Sequence, residues 1–160
     1  LGEEILLSTQ QILITGGAGF IGSNLIKLIL QVHPEWDIVN FDCLTYAGNL
    51  ESLADIEDHP HYRFMRGDVT DSKAVDEAME GCNAVFHLAA ESHVDRSILD
   101  PGPFLRTNII GTQCLLDAAR HHKVERFIQV STDEVYGSLS LDDPPFTENH
   151  QLKPNSPYSA

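Results

Sequence analysis

The residues best equipped for chemistry are Thr132, Asp133 and Glu134, in "STDEVYG" (131–137), directly after the apolar run "RFIQV". One acidic residue at a strand end is ordinary turn chemistry; a hydroxyl and two adjacent carboxylates can move protons. Like-charge repulsion between neighbouring carboxylates favours one protonated and one ionised form, an acid and a base side by side. Tyr158, in "SPYSA", adds a phenol at a helix start. The bland alternatives are a solvated turn for the two acids and an aromatic packed on a loop for Tyr158.

A second constellation lies near the amino end. "TGGAGFIG" (15–22) contains Gly17-x-Gly19-x-x-Gly22 and, overlapping it, Gly16-x-x-Gly19-x-x-Gly22. It follows a predicted strand and opens a predicted helix, and Asp42 lies twenty residues beyond Gly22 at the end of the second strand. This is the context a dinucleotide site requires: a tight turn brings pyrophosphate to the helix N-terminus, and the carboxylate accepts hydrogen bonds from the adenosine ribose. Asp42 would repel a 2′-phosphate, and no arginine follows it in "DCLTYAG", which favours NAD over NADP. Asp68, closing the third strand in "GD", is either an adenine contact or an ordinary loop aspartate.

These groups need strands and helices to hold them. Short apolar runs predict strands at "QILIT" (11–15), "DIVNFD" (37–42), "YRFMRGD" (62–68), "NAVFHLAA" (83–90) and "ERFIQVST" (125–132). Helical spacing covers "NLIKLILQVH" (24–33) and "SKAVDEAMEG" (72–81), the latter stopped by Gly81. One long helix is expected from about Pro101 to His122 with Asp100 as N-cap, and Ser156–Pro157 opens another. "HVDRS" (93–97) reads as structural, with Asp95 and Arg96 ion-paired. Alternating strands and helices imply right-handed crossovers and a parallel sheet covered on both faces, a doubly wound α/β or Rossmann fold ending after its fifth strand. Ligands on such sheets sit at the carboxyl ends of the strands, where every polar cluster here falls. The expected organisation is an extension over 1–10 and an NAD-binding domain over 11–160. A chain that starts with Leu and stops in a nascent helix suggests a piece of a longer protein.

The bulk properties narrow the class. With 24 acidic against 10 basic residues, the net charge of −14 argues against nucleic-acid and anionic-membrane partners. The three cysteines carry no CxxC spacing and suit a reducing cytoplasm. The histidine pairs "HPH" (59–61) and "HH" (121–122) come with no matching carboxylate or cysteine set, so no metal site is expected. No signal peptide and no apolar run of membrane-spanning length is visible.

Taken together, "TGGAGFIG", "LTYAGNLESL", "LAAESHVDRS", "STDEVYG" and "SPYSA" resemble the extended short-chain dehydrogenase/reductase family, most closely its dTDP-glucose 4,6-dehydratases, over nearly everything from Gln11 to Ala160. The resemblance implies NAD as a retained cofactor and dTDP-glucose as substrate. Tyr158 would take the proton of the sugar 4-hydroxyl, and Thr132 would hydrogen-bond that oxygen. Glu134 would remove the C5 proton, and Asp133 would protonate the departing 6-hydroxyl. It further implies a cofactor lining of Gly16, Gly19, Phe20, Ile21 and Gly22 at the pyrophosphate and of Asp42, Cys43, Leu44 and Thr45 at the ribose. Asp68 and Val69 would flank the adenine; Leu88, Ala89, Ala90, Ser92, Thr107 and Tyr158 would complete the lining, with Ser92 and Thr132 also facing the sugar. The small residues of the fourth strand and the Thr107 hydroxyl have structural readings too. In the family, a lysine one helical turn past the tyrosine and a C-terminal sugar-nucleotide domain follow. Both lie past Ala160, so this chain alone is expected to be inactive and the full-length protein to be a homodimer. A UDP-sugar 4-epimerase or decarboxylase on the same scaffold and a non-catalytic NAD-binding module remain the alternatives.

Overall fold

A computed structural model describes residues 10–160; the expected extension at the amino end lies outside these except for Gln10. Five strands, β1 (Gln11–Thr15), β2 (Asp37–Asp42), β3 (Tyr62–Arg66), β4 (Ala84–His87) and β5 (Arg126–Gln129), form one sheet in the order β3-β2-β1-β4-β5. Every neighbouring pair is parallel. The order reverses between β1 and β4, so the crevice where a doubly wound sheet takes its ligands opens at their carboxyl ends.

β1 and β2 are buried without alternation because both faces are covered. On one face Ile12, Ile14 and Ile38 pack with Ile26, Ile29 and Leu30 of α1 (Phe20–Val32). On the other, Leu13, Val39 and Val85 pack with Val75, Ala78 and Met79 of α2 (Ser72–Met79) and with Leu115, Ala118 and Ala119 of α5 (Thr112–His121). The alternation of pleat direction along each strand assigns its residues to the two layers. Asp71 caps α2 by accepting from the Lys73 and Ala74 N–H groups, and Gly81 ends it at φ +76°, a conformation suited to glycine.

The structure differs from the sequence reading in several places. α1 begins at Phe20, four residues earlier than expected, because the glycine turn leads straight into it. "HVDRS" belongs to a short helix, α3 (Val94–Leu99), and "LESLADI" forms a 3₁₀ turn (Leu50–Ile56). The expected Asp95–Arg96 ion pair is absent; the Arg96 guanidinium instead lies over the Tyr46 ring, 4.8 Å from its centroid. The long helix is not uniform. It runs as α4 (Gly102–Phe104), a π-helical segment (Leu105–Gly111) and α5. The expected N-cap is displaced by one residue: Pro101 is the N-cap of α4 and Asp100 closes α3, although the Asp100 carboxylate still accepts from the Gly102 N–H at 3.0 Å. Two side-chain bonds accompany the widened turn: Thr112 donates to the Asn108 carbonyl at 2.7 Å, and the Asn108 amide reaches away to the β4 loop. Gly111 sits against Val69, where an added Cβ would come within 2.5 Å of a valine methyl.

Candidate active site

The rim at the carboxyl ends of the strands is assembled from backbone outward. After β1, Gly16 turns at φ +70° and lies so close to β4 that a Cβ there would be 2.7 Å from the Ala89 nitrogen. A Cβ on Gly22 would be 2.3 Å from the Gly16 oxygen and 2.6 Å from the Gly17 Cα, so this glycine lets α1 pack on the turn. Gly19 differs: an added Cβ would meet only the Gly16 oxygen, at 3.2 Å, and otherwise enters open space. The three roles of tight turn, open cradle and helix packing thus fall on the Gly16-x-x-Gly19-x-x-Gly22 register. Gly19 is the N-cap of α1, with no side-chain cap and no acidic residue in the first turn. Its helix therefore ends in unclaimed N–H groups and the positive end of the dipole, which together favour an anion. Phe20 and Ile21 stand exposed beside it, at 86% and 63%.

Asp42 ends β2 with its carboxylate buried against this turn. One oxygen accepts from the Ala18 N–H at 3.0 Å and the other from the Leu44 N–H at 2.8 Å. Leu44 itself stands at φ 56°, unusual for a residue with a side chain. Each oxygen keeps a free lone pair for a ligand hydroxyl. Cys43 and Thr45 are exposed beside it. Burial, followed by the charges of Asp42 and Asp68, pushes the Cys43 thiol above its usual range. After β3, Asp68 commits one oxygen to the Thr70 N–H and hydroxyl, at 2.8 and 2.9 Å, while Val69 is buried in the core.

The loop after β4 is fastened from two sides. Leu88 and Ala89 donate their N–H groups to the carbonyl and hydroxyl of Thr15, and the Asn108 side chain makes paired bonds, both 2.9 Å, with the backbone of Glu91. Ala90 and Ser92 are exposed between these anchors, and Thr107 is half-buried on the facing π-helical segment. Beneath the loop lies a residue that the sequence reading missed, His87. It is fully buried, and its ring joins Thr15 (Nδ1 to Oγ1, 2.7 Å) to Thr112 (Nε2 to Oγ1, 3.0 Å). The Thr112 hydroxyl already donates to Asn108, so it accepts from Nε2–H; Nδ1 is then the unprotonated nitrogen that accepts from Thr15. Burial holds this imidazole down at about pKa 4, so it is neutral at pH 7. A histidine on an apolar strand gives no sequence sign of two threonine partners 72 and 25 positions away.

After β5, Val130 still donates to the His87 carbonyl at 3.0 Å before the chain leaves the sheet. Thr132 caps the 3₁₀ turn Asp133–Tyr136 by accepting from the Glu134 N–H at 3.3 Å, and its hydroxyl lies 3.5 Å from Asp133 Oδ1. Asp133 is exposed and Glu134 half-buried, and neither carboxylate has an ion-pair partner among the described residues. The two acids are therefore presented at the rim and not spent on packing. Tyr136, Phe146 and His150 cluster to order the long loop that follows. That loop returns to the turn: Lys153 donates to the Val135 carbonyl at 3.0 Å, and Asn155 to the Ser138 hydroxyl at 2.7 Å. Three residues on, Tyr158 sits in the helical turn that Ser156 caps through the Ser159 N–H. Its ring stands edge-on to Phe104, which lines a cleft of about 390 Å³ with Thr45, Tyr46, Glu91 and Arg96.

The sequence reading found no carboxylate to accompany His121 and His122. The fold supplies one, Asp76 of α2, away from this rim.

A family model described as GDP-mannose 4,6 dehydratase matches residues 13–160. The dTDP-glucose 4,6-dehydratase of Streptomyces griseus is 54% identical over 154 residues, taking in 95% of this chain and 46% of that relative. The crystal structure of dTDP-glucose 4,6-dehydratase from Bacillus anthracis in complex with NAD matches with a TM-score of 0.85 at 42% identity, over 94% of this chain and 46% of that one. UDP-glucose 4-epimerase from Brucella ovis in complex with NAD matches at 0.82 and 33% identity, over 94% and 44%. The chain spans about half the length of the relatives it matches, 46% in the first case.

Proposed function

Since the chain belongs to the GDP-mannose 4,6 dehydratase family, we propose that it is the cofactor-binding part of an NAD-dependent dTDP-glucose 4,6-dehydratase. The observation that carries this reading is the pair Asp133–Glu134, without an ion-pair partner among the described residues and following β5 at the same rim as the glycine turn. An alcohol oxidation needs one base; two more carboxylates have work only if a water is also eliminated.

The residues fit NAD. Gly19 leaves an open cradle at an uncapped helix N-terminus, and the fixed Asp42 carboxylate suits a ribose diol and repels a 2′-phosphate. Gly16, Gly22, Phe20 and Ile21 would bound the pyrophosphate, and Cys43, Leu44 and Thr45 the ribose. Asp68 and Val69 would flank the adenine, and Leu88 to Ser92 with Thr107 the remainder. When bound, NAD would supply oxidation at the sugar's C4 and, once water has left, would give the same hydride back at C6.

In this reading the Tyr158 phenolate takes the 4-hydroxyl proton while Thr132, with Ser92, orients the sugar. The resulting ketone acidifies the neighbouring C5–H. Glu134 removes that proton, and Asp133 gives one to the 6-hydroxyl so that it leaves as water. In this scheme Asp133 acts as the acid and Glu134 as the base. A homodimer is supported by the exposed Leu105, Ile109 and Leu116, four and seven positions apart on one helical run. A cytoplasmic setting is supported by three free cysteines.

The test is to incubate the intact protein with dTDP-glucose, and with UDP-glucose for comparison, and assay the 4-keto-6-deoxy sugar by its absorbance in alkali. Glu134→Gln should lower its formation by about 10²-fold or more, the range of a lost general base. It should still give reduced cofactor on mixing with substrate. A 4-epimer without keto product would refute the dehydratase reading in favour of an epimerase.

A further inference from the structure

We propose that Asp76, His121 and His122 form a binding site for a divalent transition-metal ion of the zinc class, bridging α2 and α5. His121 closes α5 and His122 follows as its C-cap, while Asp76 comes from the middle of α2. His121 Nδ1 lies 3.1 Å and His122 Nε2 2.8 Å from the same Asp76 Oδ1, and the three atoms all lie within 4.8 Å of one another. Adjacent helix positions point about 100° apart. The two rings converge on one point because they use different nitrogens.

At the usual zinc–ligand lengths a tetrahedron has edges of about 3.4 Å. The two nitrogen–oxygen edges are within reach of that. The nitrogen–nitrogen edge closes by rotation of His121, whose side chain is 74% exposed, toward His122, which is 20% exposed. Without metal the rings donate N–H groups to Asp76 and hold its carboxyl below the usual range. To bind an ion, each neutral ring carries its proton on the other nitrogen and turns a lone pair inward, so nothing else in the site has to be rebuilt.

Two imidazoles and one carboxylate select zinc, copper, nickel or cobalt over magnesium and calcium, which prefer oxygen-only shells. The fourth position faces solvent. A net charge of −14 raises the local cation concentration. Since α5 ends where the chain turns toward the start of β5, the site lies at the opposite end of the sheet from the catalytic rim. Its effect is to clamp together two helices that pack on one sheet face.

The experiment uses the intact protein, untagged and stripped with a chelator, titrated with zinc chloride by calorimetry and with cobalt chloride by visible absorption. The expected result is one saturable equivalent with the intense absorption of low-coordinate cobalt. His121→Ala, His122→Ala and Asp76→Ala should each weaken binding by about tenfold or more, and His59→Ala should leave it unchanged. Nitrogen-15 spectra should show metal on Nδ1 of His121 and Nε2 of His122. Binding that the three variants leave unaltered, or no saturable equivalent, would overturn the proposal. Dehydration activity should be the same with and without zinc, so this result stands apart from that of the functional assay.

Discussion

Adding one methyl group at Gly19 and at Gly22 should separate cofactor binding from folding. In Gly22→Ala the new Cβ would stand 2.3 Å from the Gly16 oxygen and 2.6 Å from the Gly17 Cα. Both obstacles are backbone of the turn itself, so α1 has to move away from β1. Overpacking costs about 1–3 kcal/mol, and where both obstacles are backbone the upper part of that range applies, about 2–3 kcal/mol; alanine's better helix propensity returns about 1 kcal/mol, leaving a net loss of roughly 1–2 kcal/mol. In Gly19→Ala the only close atom is the Gly16 oxygen at 3.2 Å, and the backbone, at φ −77°, suits alanine. Its stability should stay within about 0.5 kcal/mol of the parent. The methyl group would, however, occupy the space in which pyrophosphate meets the helix N-terminus, and NAD affinity should fall about tenfold or more, equivalent to ~1.4 kcal/mol. Urea denaturation measures the first quantity and calorimetric titration with NAD the second. If Gly19→Ala bound NAD like the parent, the cradle would be misassigned. Equal stability of the Gly22→Ala protein would show that the turn is looser than its distances imply.

Two further outcomes follow from groups whose protonation the fold shifts. His87 is neutral in the folded state down to about pH 4 but takes up a proton below about pH 6.5 when unfolded. The unfolded state therefore binds more protons between these values. Stability should be fully present above pH 6.5 and fall toward pH 4, by up to about 3 kcal/mol; His87→Gln should flatten that part of the curve in urea titrations run at stepped pH, and an unchanged slope would assign it to other groups. Cys43, exposed but with its thiol raised, should react with iodoacetamide at pH 7 more slowly than a free thiol, and NAD should slow it further. Mass spectrometry of the labelled peptide reads both effects, and lack of protection would remove Cys43 from the cofactor lining.

The parts legible in the sequence are those governed by short-range rules. β1 and β2 fall at their expected bounds because each has an apolar stretch rich in Ile with Leu, Val or Phe that is closed by a glycine turn or an acid. The stop of α2 at Gly81 follows from the same kind of local rule, since φ +76° suits glycine. What was not legible depends on partners distant in the chain. The π-helical segment accompanies an Asn108 side chain bonded to the loop after β4, and Arg96 leaves its neighbour Asp95 for an aromatic ring fifty positions earlier. Asp42 was expected to wait for a ribose, yet its two oxygens first fix Ala18 and Leu44. The carboxylate therefore builds the turn as well as offering lone pairs to a ligand, and no spacing rule separates those roles.

The same division explains how so acidic a chain can present a site for a dinucleotide. At −14 overall, long-range attraction works against an anionic ligand. The rim meets that field with backbone dipoles alone: an uncapped N-terminus on α1, without an acid in its first turn, beside an open glycine. Such donors act over one helical turn and are screened little when a ligand covers them. The Asp42 carboxylate lies against this turn, and its charge is partly met by two N–H groups of the rim itself. Asp133 and Glu134 follow β5, two strands away from β1 and past β4, where the proposed reaction would need them at a neutral sugar carbon and a departing hydroxyl. In the proposed function, separating an anion-binding end made of N–H groups from a proton-transferring end made of carboxylates would let both operate on one sheet edge, and exchanging either set for the other's chemistry should abolish that arrangement.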